Sequence, residues 1–168
     1  MGWSFAQGQT RAALVEELDR GMLTEKYTVQ RGAWGGGCYW QAVKVNDTGA
    51  VFIVCNLVKR EDGALGVKSM SEAAGPSYYA CPLSLLALAT EPAPGMYAAE
   101  WRERVREHHA KRQATATLAA GAVVNYAGHS YRLDAPAGPR KGWIVTRVSD
   151  GRAFRMPFRQ LADATPAQ

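Results

Sequence analysis

The sequence predicts an α+β fold: an N-terminal helix lies on an antiparallel sheet, and a basic helix leads on to a small C-terminal SH3-like β-barrel. Three observations carry this. A helical apolar period over residues 10–22 precedes an alternating hairpin over residues 39–58. A heavily charged helix follows a double-proline break at Pro92 and Pro94. Past residue 115 the period changes to two, in short runs divided by glycine turns.

In the first helix, the Thr10 hydroxyl is placed to accept from a free amide of the opening turn. Leu14, Val15, Leu18 and Met22 follow at helical spacing, with Arg11, Glu16, Glu17, Asp19 and Arg20 largely off that stripe. Tyr27 to Gln30 reads as a short strand, and Arg31 to Gly37, with four glycines, as a loop. Tyr39 to Val45 alternates, with Tyr39, Val43 and Val45 on one face. Asn46-Asp47-Thr48-Gly49 has the residues that tolerate a tight turn. Val51 to Val58 is nearly all apolar, as a central strand covered on both faces should be. A sheet of about three or four strands under one helix accounts for this part.

Residues 59–81 read as loop-rich, with one helical turn near Ser69 to Ala74. Cys81-Pro82 opens a second helix, with Leu83, Leu85, Leu86 and Leu88 turned inward, and Glu91-Pro92-Ala93-Pro94-Gly95 ends it. A third helix, Tyr97 to Arg112, carries Trp101 and Val105 inward, and Thr115 to Leu118 is a linker. Strands follow at residues 122–126, 130–133, 143–148 and 153–156, with turns at Gly128, Gly138-Pro139 and Asp150-Gly151. Pro157 to Leu161 is read as one 3₁₀ turn. The expected organisation is an α+β domain over residues 1–92, a basic helical connector over 93–114 and a barrel over 115–168.

Composition narrows the class. Apolar residues make up 47% of the chain and charged residues 21%, which is globular rather than disordered. No apolar run approaches the ~20 residues of a bilayer span. Met1-Gly2-Trp3-Ser4 lacks the basic and then apolar segment of a secretory signal, and Ala6 stands where a myristoylation site has serine or threonine. Three widely spaced cysteines, an odd number, argue against a disulfide framework. A cytoplasmic location without a membrane partner is therefore expected. No Cys-x-x-Cys or His-x-x-x-His spacing occurs, so neither a metal nor another cofactor is expected.

The charge is uneven. Residues 1–100 carry eight Lys/Arg against ten Asp/Glu, a net of −2, whereas residues 101–168 carry twelve against five, a net of +7. Arg102, Arg104, Arg106, Lys111 and Arg112 lie along one helix, and Arg132, Arg140, Lys141, Arg147, Arg152, Arg155 and Arg159 in the predicted barrel. Arginine's planar fork suits phosphate and carboxylate alike. Tyr126, Tyr131, Trp143 and Phe154 interleave with these charges, and any that are exposed can stack on bases. Core packing of the aromatics, and pairing of Glu100, Glu103 and Glu107 along the helix, compete with that reading.

Other candidates meet simpler readings. Gly35-Gly36-Gly37 lacks the helix and the Lys-Ser/Thr of a phosphate loop. Cys38 in Gly37-Cys38-Tyr39-Trp40 has the surroundings of a papain-like nucleophile, but it opens a strand rather than a helix. Cys55 reads as core, and Cys81 as a helix-entry residue under its own proline. His108-His109 point about 100° apart on a helix, which suits a solvated end better than a shared ion. The acidic runs Glu61-Asp62 and Glu16-Glu17-Asp19 sit beside basic residues and lack the spacing that converges on Mg²⁺.

The opening Met1-Gly2-Trp3-Ser4, the segment Gly66-Val67-Lys68-Ser69-Met70-Ser71-Glu72 with Gly75-Pro76 and Cys81-Pro82, and Trp101-Arg102 occur in an order that resembles a domain-of-unknown-function family of small phage, plasmid and mobile-element proteins. The resemblance spans roughly the first two-thirds of the chain. It implies a mobile-element setting, where small accessory proteins bind DNA or block host defences, and it implies no catalytic residue. The expected function is non-catalytic binding of nucleic acid, or of an acidic surface on a host protein/nucleic-acid complex, by the basic C-terminal part, with counter-defence as the setting. A cysteine enzyme using Cys38 with a histidine, and a scaffolding or oligomerising protein, are the alternatives.

Overall fold

The computed structural model describes residues 2–61, 63–138 and 141–167; Met1, Asp62, Pro139 and Arg140, named above, lie outside them. The chain forms two units, residues 1–108 and 109–168.

The first unit holds β1 (Gly2–Phe5), α1 (Arg11–Met22), β2 (Tyr27–Gly35), β3 (Cys38–Val45), β4 (Val51–Glu61) and β5 (Ala64–Ser71). The strands form one antiparallel sheet in the order β1-β5-β4-β3-β2. A 3₁₀ turn (Glu72–Ala74), the single helical turn α2 (Leu83–Leu86) and the long α3 (Met96–Ala116) complete the path toward the second unit. The Thr10 hydroxyl caps α1 by accepting from Ala13 N at 3.2 Å, as the sequence predicts.

Alternation sorts the sheet into two cores. Trp40 pairs with Cys55 and Ala42 with Ile53, and this face packs on Cys81, Leu85, Leu86, Trp101 and Val105. The opposite face, with Tyr39 and Val67, packs on Leu14 and Leu18 of α1. Helices therefore cover both faces of the sheet, which is why Cys38 to Val43 are buried without interruption.

Several expectations for this unit need correction. The predicted loop at Arg31 to Gly37 is strand as far as Gly35, with a bulge between Val29 and Arg31. Only Gly36 and Gly37, at φ 59° and 83°, make the turn. The loop-rich stretch after residue 59 contains β5, paired with β4 from Val54–Ser71 to Glu61–Ala64. With β1 added, the sheet has five strands rather than three or four. The second helix is one turn, and Leu83 and Leu88 are exposed while Leu85 and Leu86 are buried. Thr115 is still helical, returning its hydroxyl to the carbonyls of Lys111 and Arg112.

The second unit takes the end of α3, then β6 (Val123–Tyr126), β7 (His129–Pro136), β8 (Trp143–Arg147), β9 (Ala153–Met156), α4 (Phe158–Ala162) and β10 (Thr165–Pro166). These strands form an antiparallel sheet in the order β10-β6-β7-β8-β9. The predicted barrel is not closed: β9 and β10 are opposite edges of an open sheet. With four residues in β9 and two in β10, the edges have little ladder with which to meet. The predicted 3₁₀ turn is the α-helical α4, whose Leu161 joins Val124, Leu133, Trp143, Val145 and Met156 in the core. No helix among the described residues is long and apolar enough to cross a membrane.

Candidate nucleic-acid interface

Residues 109–168 hold nine Lys/Arg and three Asp, a net of +6. Each aspartate is already engaged within the unit. Asp163 meets Lys111 at 3.3 Å, and Asp134 accepts from Arg132 Nε at 2.9 Å and from Thr146 Oγ1 at 2.6 Å. Asp150 accepts from two nitrogens of Arg147, with Arg152 Nε 3.7 Å away. The Thr146 hydroxyl, then Arg132, hold the Asp134 carboxyl below the usual carboxylate range, and Arg147 does the same for Asp150. Arg112, Lys141, Arg155 and Arg159 are exposed and have no acidic partner among the described residues. Arg140 lies outside those residues.

The strand register brings aromatic rings to the same unit. Tyr131 faces Arg147, and Val145 faces Phe154, so these side chains share the face that carries Leu133. The Tyr131 and Phe154 rings meet edge to face at 6.2 Å, and His129 meets Tyr131 at 6.4 Å. Arg147 lies over the Phe154 ring at 5.1 Å. Phe154 is 40% exposed on β9, an edge strand of the sheet. Tyr126, opposite His129, and Tyr131 are half-buried. Trp143 is not available for stacking, since it is buried in the core.

The helical arginines divide differently. Arg102 is corrected from a surface contact to a core residue: its Nε and Nη2 each reach a Glu72 oxygen at 2.7 Å, and Nη1 donates to the Thr90 carbonyl at 2.8 Å. Its position was readable, since Ala98, Trp101, Arg102 and Val105 fall on one helical stripe. Arg104 pairs with Glu100, and Arg106 with Glu91 and Glu103, all on the first unit's surface.

The remaining candidates settle into structural roles. None of the cysteines is in a disulfide, and all three are buried in one core. A hydrogen bond from the Cys55 thiol lowers Cys38, while that bond and burial drive Cys55 up. Burial, and then the Glu72 charge, push Cys81 up to about 12. Gly36-Gly37 joins two strands, so its amides do not precede a helix as in a phosphate loop. Glu16 and Glu17 both pair with Arg20, and Asp19 accepts from Tyr39 and Gln41. His108 and His109 lie within α3. No cluster of metal-ligating side chains occurs among the described residues. Compared with protein-family models, curated proteins and solved structures, the chain matches none.

Proposed function

We propose that this is a non-catalytic binding protein that contacts nucleic acid through its second unit. The observation that carries the reading is the pairing of all three aspartates inside a unit of net charge +6, which leaves Arg112, Lys141, Arg155 and Arg159 without acidic partners among the described residues of a unit that also carries a partly open aromatic strip. Cations of this kind release counterions from phosphates, and exposed rings add sequence-tolerant stacking. Burial of Cys38 against another thiol supports binding over cysteine chemistry. The mobile-element resemblance supports a counter-defence setting. There a basic protein acts by occupying a nucleic-acid path or gripping a host protein/nucleic-acid complex, because a mimic of DNA would be acidic.

Fluorescence anisotropy with labelled duplex DNA, single-stranded DNA and RNA over a salt series tests the proposal. Affinity should fall linearly in log–log form with salt, and charge reversal at Arg155 and Arg159 should flatten the slope. Phe154→Ala should weaken single strands more than duplex. Absence of binding at low salt overturns the reading and turns the same basic surface toward an acidic protein.

A further inference from the structure

At the N-terminal end of α1 the sheet is left uncovered, and a cleft of about 380 Å³ opens there. That is within the range of small-molecule sites. Leu14, Val58 and Leu65 form its apolar floor, and Arg11 and Arg60 stand at its walls. Neither arginine has an acidic partner among the described residues. Arg11 lies over the Trp34 ring at 4.3 Å, which fixes one guanidinium at the edge of the cleft. Gln9 also lines it, and its Oε1 is shut from solvent without a hydrogen-bond partner. The Oε1 acceptor of this carboxamide is therefore open to a donor carried by a ligand.

We infer that this cleft binds a small planar molecule carrying a phosphate, of the nucleoside monophosphate class. Two guanidinium groups match a dianion better than a single carboxylate, since each can form a charge-assisted pair with it. The apolar floor, bordered by Trp34, accepts a flat, weakly polar body, and the Gln9 carboxamide oxygen meets a donor at the edge of a base. The site is built wholly from the first unit and does not depend on the nucleic-acid reading of the second.

The test uses the full chain, with adenosine 5′-monophosphate as probe and adenosine and inorganic phosphate as part-ligands. Chemical shifts of the Gly37 amide and the Trp34 indole report on the cleft itself. The monophosphate should shift both saturably, and each part-ligand should bind at least about tenfold more weakly. Arg60→Gln, a change at an exposed position, should weaken the monophosphate about ten- to a hundredfold. Phe154→Ala with Arg155→Glu should leave it unchanged. Unshifted Gly37 and Trp34 signals, equal binding by Arg60→Gln, or phosphate alone matching the monophosphate would each overturn the assignment.

Discussion

Arg102 and Glu72 bind each other through two parallel hydrogen bonds of 2.7 Å, with both side chains shut away from solvent. Glu72 Oε1 also accepts from Ile53 N at 3.3 Å, and Arg102 reaches the Thr90 carbonyl, so the pair pins α3 to the sheet and to the segment before its prolines. The attraction between the two charges is offset by the desolvation of both, and its net contribution is small. Removing one partner is another matter, because it strands a buried charge. Arg102→Met should destabilise the protein by about 3–5 kcal/mol in urea denaturation. The double variant Arg102→Met, Glu72→Leu should recover much of that loss.

High pH should weaken the cores of the first unit. Cys81 ionises near 8.5 in an unfolded chain and at about 12 here. Its contribution is therefore complete below about pH 8.5 and fades as pH rises toward the native value. Tyr39 acts in the same direction, because burial and then its bond to Asp19 raise its phenol. The urea midpoint should fall between pH 8.5 and 10.5 and fall less in Cys81→Ala. An equal decline in both proteins would remove Cys81 from the explanation.

The glycines between Arg31 and Gly37 show where the sequence misleads. In a single sequence, a glycine that makes a turn and one that makes room look alike. Gly32 makes room: a Cβ there would lie 1.8 Å from the Tyr39 hydroxyl. Gly35 likewise passes the Ala80 carbonyl, where a Cβ would lie 2.2 Å away. Gly32→Ala should cost about 1–3 kcal/mol by overpacking, although its backbone is ordinary strand. By contrast, Gly49→Ala meets nothing in space and acts only through its φ of 72°.

The same distinction governs how much of the rest was legible. Periodicity located α1, β3, β4 and the four main strands of the second unit, because each buries a face that its own residues define. β1 and β5 were hidden because glycine, lysine and serine interrupt their pattern, and only pairing with β4 and with each other makes them strands. The basic set was visible as composition, but of its division only the core place of Arg102, on the stripe of Trp101 and Val105, was readable. Whether Arg155 is exposed depends on the face its strand turns inward. The openness of the second sheet depends on which strand ends meet, and the strand pattern does not carry that information.

All three thiols should resist modification in the native state. Cys38 and Cys55 are 1% exposed, and Cys81 is fully buried. Labelling with a chromogenic disulfide should follow the rate of local or global opening and accelerate with urea. A rapid one-equivalent phase in buffer, lost in Cys38→Ala, would instead revive the cysteine-enzyme alternative.

Beneath α1, hydrogen bonds run in one direction across three strands. Ser69 Oγ donates to Asn56 Oδ1 at 2.6 Å, Asn56 Nδ2 to Gln41 Oε1 at 2.8 Å, and Gln41 Nε2 to Asp19 Oδ1 at 2.7 Å. Gln41 and Asn56 are almost fully buried, so each depends on its neighbour for satisfaction. Asn56→Ala leaves both Ser69 and Gln41 short of a partner. It should cost about 1–3 kcal/mol for each buried group so orphaned. Replacing Gln41 and Asn56 together with apolar residues should cost less than the sum of the single changes. A double-mutant cycle should therefore return a coupling energy of about 0.5–3 kcal/mol. Additive losses would mean that the two side chains act as separate packing groups rather than as links in one polar chain.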